Sequence, residues 1–306
     1  MQWFFIALAA PILWAFVNIA DNYLVANFSE KEKERSSGGL VLFSSFVAIF
    51  IVVFIAIFTK GIFNILIFDK LLLLLTGVLT IAWILLYLFA LELEETSNVA
   101  PWFLSVPIFG FILAYFFLGE TLNNNQILGS IIVVLGLVFI VFDFSGENKK
   151  FKKKPVFYMI FACLLVAISG VIFKYVTVEG NFWVSSFWEY LGLGITGLLI
   201  YLFSSKHRAQ FMYMNKKGGL KIFILNTTTE LFPISGNLLT NFALLLAPIT
   251  MVYLVGSFQP AIVLFLTILG TRFYPHIVKE NISRRVLIPK IIAIITMIVG
   301  SVFLFM

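Results

Sequence analysis

Residues 71–91 read LLLLLTGVLTIAWILLYLFAL, 21 residues without a charged side chain. At about 1.5 Å of rise per residue such a helix crosses a hydrocarbon core of about 30 Å. Working outward from this run, which extends back to Lys70, similar apolar stretches occupy 3–24, 39–59, 98–118, 125–143, 156–177, 182–203, 221–245, 250–270 and 286–306. The spacing predicts ten transmembrane helices, numbered here as spans 1 to 10, with almost no mass outside the bilayer. Composition agrees: 61% hydrophobic, 12% charged and a mean hydropathy of +1.05 exclude a soluble globular domain. With 20 Gly, 9 Pro and the single Cys163, the chain is neither collagen-like, nor disordered, nor a disulfide scaffold. Span 1 carries Asn18, Asp21 and Asn22 and lacks a basic leader, so it reads as a retained helix rather than a cleaved signal.

The net charge of +6 calls for membrane orientation rather than nucleic acid. Apart from Lys60, Lys70 and Lys174, every Lys and Arg falls in or beside a loop that follows an odd-numbered span. The positive-inside rule then places those loops in the cytoplasm and both termini outside, in a cytoplasmic (inner) membrane.

The two halves of the chain overlay. A shift of 153 residues carries Phe89 onto Phe242, Ala90 onto Ala243 and Pro107 onto Pro260, while Glu120 corresponds to Glu280 and Gly136 to Gly300 after a longer loop. The expected organisation is a first repeat over 1–146, a basic linker at 147–154 and a second repeat over 155–306. Five spans is an odd number, so the second repeat enters the membrane inverted, an arrangement suited to alternating access around a midplane site.

Pro107-Ile108-Phe109-Gly110, with Leu118-Gly119-Glu120-Thr121-Leu122 at the exit of span 4, resembles the signature of EamA-type transporters of the drug/metabolite transporter superfamily. Gln126-Ile127-Leu128-Gly129 with Leu135-Gly136 resembles the next helix of that family, and Trp14-Ala15 its Trp-Gly pair. The resemblance implies two EamA repeats and secondary transport, in a superfamily that carries amino acids, sugars, nucleotide derivatives and drugs. The second repeat departs from it, reading Leu269-Gly270-Thr271 with a basic loop before Glu280.

Polar residues inside hydrocarbon need partners or a wet cavity. Asn226, Glu230, Pro233, Asn237 and Asn241 fall on one stripe of span 8 at 100° per residue. Trp14, Asn18 and Asp21 share a face of span 1, as do Thr80, Trp83 and Tyr87 of span 3, Trp102 and Ser105 of span 4, and Tyr253 and Ser257 of span 9. With Lys174, these residues are the candidate substrate cavity, where aromatic and amide groups hold a small organic molecule by shape and a few hydrogen bonds. Lys174 admits a second reading, pairing with Glu189 or Glu230. Glu230, deep in span 8, is the candidate for proton coupling. Trp3, Trp183 and Trp188 lie near span ends and read as interfacial belt residues.

No Walker, GxSxG or HExxH pattern occurs, so no enzyme activity, cofactor or metal site is indicated. The expected function is an exporter or exchanger of small metabolites such as amino acids, with the proton as candidate coupling ion. The alternative is a lipid flippase or lipid-modifying membrane enzyme. A complete inverted repeat makes a monomer sufficient and leaves a dimer open.

Overall fold

The structure, a computed structural model, describes residues 2–28, 37–94, 99–141, 153–256, 258–273 and 284–303. Among them every regular element is helical: α1 (Gln2–Phe28), α2 (Ser37–Phe58), α3 (Ile67–Leu91), a 3₁₀ helix (Ala100–Ser105), α4 (Val106–Leu118), α5 (Asn124–Val141), α6 (Lys153–Thr177), α7 (Phe182–Phe203), α8 (Ser205–Leu246), α9 (Ile249–Gly256), α10 (Gln259–Phe273) and α11 (Arg284–Phe303). Helices alone satisfy every backbone group within one apolar segment, which is why these runs adopt them. Six stretches are long and apolar enough to cross a bilayer: Gln2–Ala20, Gly39–Phe58, Ile67–Leu91, Lys153–Thr177, Phe182–Phe203 and Ile249–Phe273. Val106–Leu118 and Asn124–Gly136 are shorter apolar helices. The protein is therefore a multi-pass helical membrane protein.

Local signals set the ends. Asn181 caps α7 by accepting from the Trp183 and Val184 N–H groups at 2.9 and 3.3 Å. Asn123 and Gln126 form a reciprocal capping box at the start of α5, at 3.0 and 2.8 Å. Gly119, at φ 67°, takes the left-handed position that ends α4, and the Glu120 N–H returns to the Ala114 carbonyl at 3.2 Å. The Gly-Glu pair at the exit of span 4 thus turns the chain and delivers a carboxylate.

α3 packs on α6 and α7, and α8 packs on α1 and α2. Also paired are α2 with α7, α4 with α6 and with α9, α1 with α9 and α10, and α5 with α11. α3 and α7 touch backbone to backbone. A Cβ on Gly77 would run into the Leu193 nitrogen and the Glu189 carbonyl, and one on Gly192 into the Leu74 backbone. Ala90 and Ala243, equivalent under the 153-residue shift, are both fully buried. Phe50, Phe54, Phe58, Phe116 and Phe117 are exposed, as lipid contact accepts.

Two expectations are corrected. The segment 206–217, which the expected bounds of spans 7 and 8 leave as a basic loop, is a helical arm of α8, set off from the span by non-helical Gly219 (φ 58°, ψ −160°). Phe211 of the arm packs on Phe43, Phe46 and Tyr201, so its apolar face is anchored while Lys206 and Lys216 are exposed. Trp188 is not a belt residue: it is buried, its indole donates to the Ile62 carbonyl at 2.7 Å, and the Lys70 ammonium stands 5.4 Å from its ring.

Candidate functional site

The helices enclose a cavity of about 190 Å³. α1 contributes Trp14 and Asn18, α3 contributes Thr80, Trp83 and Tyr87, and the 3₁₀ helix contributes Phe103. From the other half come Tyr190 on α7, Glu230, Asn237 and Asn241 on α8, and Tyr253 on α9. The wall is mostly apolar with a few converging polar groups, the usual make-up of a small-molecule site.

Several of these groups are held by hydrogen bonds and close packing. The Tyr87 hydroxyl donates to Asn18 Oδ1 at 2.9 Å, and Asn18 is only 4% exposed. Phe103 meets Trp83 edge-on with ring centres 6.0 Å apart and tilts against Tyr87 at 5.4 Å. Gly236 lets the Trp14 indole lie against α8, since a Cβ there would come within 2.6 Å of its nitrogen. Tyr253 fits against Gly110 and Gly170 and donates to the Val166 carbonyl at 3.3 Å. The Tyr190 hydroxyl reaches the Ile234 carbonyl at 3.1 Å, one residue after Pro233.

Behind this wall lies Glu189, 3% exposed. Its Oε1 accepts from Asn237 Nδ2 at 3.3 Å and its Oε2 from Asn241 Nδ2 at 2.8 Å. Asn237 Nδ2 also lies 3.4 Å from the Tyr190 hydroxyl. The two amides therefore face the cavity and the carboxylate at once.

Of the residues selected from sequence, the structure brings together Trp14, Asn18, Thr80, Trp83, Tyr87, Glu230, Asn237, Asn241 and Tyr253. The side chains of Asp21, Asn226 and Ser257, and the whole of Glu280, lie outside the described residues. Lys174, Trp102 and Ser105 are off the wall of this cavity. Lys174 pairs with neither Glu189 nor Glu230; its ammonium meets Glu120 Oε1 at 2.5 Å and donates to the Ala247 carbonyl at 2.7 Å. Glu120 follows directly on the left-handed Gly119 that ends α4, and Lys174 lies near the end of α6. Its Oε2 also accepts from the Ile249 N–H at 2.8 Å, tying down the start of α9. Trp102 and Ser105 leave the wall because their segment is a 3₁₀ turn, whose tighter winding breaks the 100° phase that placed them together. The Trp102 carbonyl instead accepts from the Cys163 thiol at 3.0 Å.

Sequence reasoning missed Phe103, Tyr190, Ser169 and Gln259, which also line the cavity. Tyr190 had a signal, being next to the intramembrane Glu189. Gln259 had a weaker one, preceding the helix-breaking Pro260.

No curated protein matches the chain. One solved crystal structure is 11% identical and superposes over 99% of this chain and 95% of its own, with a TM-score of 0.66, so the fold is shared. Residues 1–142 match the EamA-like transporter family. That stretch, just under half of the chain, holds Trp14, Pro107 and the Gly119-Glu120 turn.

Proposed function

We propose that the protein is a secondary transporter of small amphoteric metabolites such as amino acids, working by alternating access between two inverted five-span repeats, 1–146 and 155–306. The observation that carries this reading is that both halves wall one cavity, Trp14, Asn18, Trp83 and Tyr87 facing Tyr190, Glu230, Asn237 and Asn241. The packing supports two equivalent halves. Moving five spans along turns the α3–α6 contact into α8–α1, α3–α7 into α8–α2, and α4–α6 into α9 and α10 on α1. The α2–α7, α4–α9 and α5–α11 contacts map onto themselves. The helix breaks before Pro107 and Pro260 fall at matching places. Such halves can exchange conformations and open the site to either side.

In the ten-span topology, with both termini outside, Leu40 and Ser44 near the start of α2 and Leu88 near the end of α3 extend the cavity towards the cytoplasm. Glu120, Lys174 and Ile249 meet at the opposite end, closing it. A volume of about 190 Å³ is below the roughly 300–1,000 Å³ of drug-sized sites, which favours a small solute. Aromatic faces and Glu230 would receive its ammonium group, and the amides its carboxylate. The test is flux of labelled amino acids and metabolites into proteoliposomes, with and without a pH gradient. Accumulation of at least one solute above empty liposomes is expected, and no flux across a broad panel would overturn the reading.

A further inference from the structure

Glu189 is the most deeply buried carboxylate on the cavity's border, and the reading above gives it no task. In a hydrocarbon interior an ionised carboxylate persists only when its charge is met by donors or a cation. Here the donors are two neutral amides, at 3.3 and 2.8 Å, and both amides also line the cavity. The ionisable groups around Glu189 supply no base. α2 carries none, and α3 brings Tyr87 to the cavity wall while Asp69 and Lys70 sit at its far start. On α6, Lys174 is paired with Glu120, and the Cys163 thiol is bonded to the Trp102 carbonyl. α8 brings Glu230 to the wall, α9 brings Tyr253 within electrostatic reach, and Tyr190 is the neighbour on α7 itself.

We propose that Glu189, Asn237 and Asn241 form a proton-binding site whose occupancy is set by a solute in the cavity. The amides are the shared element. While they face the carboxylate they favour its ionised form; when they turn to an acceptor group on the solute, the carboxylate loses its donors and takes up a proton from the cavity water. The proton moves from hydronium or water to a Glu189 oxygen, and no other bond changes. Solute and proton then occupy the site together and move in the same direction, which departs from the exporter or exchanger expected from sequence. This deepens the transporter reading and rests on it for the solute, but not for the proton.

Proton binding can be read without any solute, by infrared difference spectroscopy of the protein in lipid nanodiscs as the pH is raised. A carboxylic-acid carbonyl band that titrates in the wild type is expected to be lost in Glu189→Gln and kept in Glu230→Gln. Asn241→Leu and Asn237→Leu keep the carboxylate and remove one donor each. The band should then survive to higher pH, a gain in proton affinity of about tenfold or more. An unchanged band in Glu189→Gln, or Asn variants that titrate as the wild type does, would overturn the proposal. Should Glu189→Gln fail to fold, the Asn variants decide alone. A flux panel that moves nothing would sink the transporter reading and leave this titration intact, so the two failures are distinct.

Discussion

Glu120 and Glu189 are both carboxylates inside the helix bundle, and the molecule treats them oppositely. Glu120 meets a full positive charge on Lys174 and a backbone N–H on Ile249, so it joins the end of α4, the end of α6 and the start of α9. Among the described residues Glu189 meets amide dipoles, from two side chains on one neighbouring helix. An ion pair with no competing partner is a clasp, because swapping its members for water or lipid exposes two charges. A carboxylate held by amides that also face a cavity can trade those donors and change its protonation. The contrast separates a group that fixes geometry from one that can respond to a ligand.

The clasp can be broken first, with the largest effect. Lys174→Met leaves Glu120 inside the bundle without its counter-charge and is expected to cost about 3 kcal/mol in a reversible unfolding assay in mixed micelles. The double variant Glu120→Gln with Lys174→Met should recover most of that loss, since no charge is left unpaired. Equal losses in the single and double variants would show that the pair holds nothing. A smaller effect is expected at the support of the responsive carboxylate. Gly77→Ala places a methyl group against the Leu193 nitrogen and the Glu189 carbonyl, backbone atoms that cannot swing aside. Separating α3 from α7 should cost about 1–3 kcal/mol in the same assay. It should also shift the Glu189 titration, whereas Gly119→Ala, at a position open to space, should strain only the turn.

How much of this was legible in the sequence follows from which forces act locally. Apolar run length fixed the helices because hydrocarbon admits almost nothing else. The α8 stripe of Glu230, Pro233, Asn237 and Asn241 was legible because one regular helix preserves its phase. The same arithmetic failed at Trp102 and Ser105, where a 3₁₀ turn replaces the α-helical step. Lys174 was misplaced for another reason. Its partner Glu120 is 54 residues away in sequence, and only the fold around the left-handed Gly119 decides which of several carboxylates an ammonium meets. The amides on Glu189 were each visible, but their shared orientation depends on the close approach of α7 and α8. The arm at 206–217 was hidden because charge density suggested a loop, while its apolar face at Phe211 is narrow.

The smallest expected effect sharpens what the cavity reads rather than what holds it together. Asn18 Nδ2 has no hydrogen-bond partner among the described residues, although Asn18 is buried and lines the cavity. A buried donor without a partner is costly, so its place is to meet an acceptor on a solute. Tyr87 keeps it available: by donating to Oδ1, the hydroxyl fixes which end of the amide faces inward. Tyr87→Phe removes that hydrogen bond and keeps the ring against Phe103, so stability should fall by only about 1 kcal/mol. The amide is then free to turn its oxygen towards the solute's carboxylate, where it repels instead of binding. KM for the transported solute should rise about fivefold with little change in maximal rate. Asn18→Leu should raise KM at least as far, because no rotation restores a donor. If Asn18→Leu leaves KM at the wild-type value, the solute does not contact this amide, and the recognition surface lies with Asn237 and Asn241 alone.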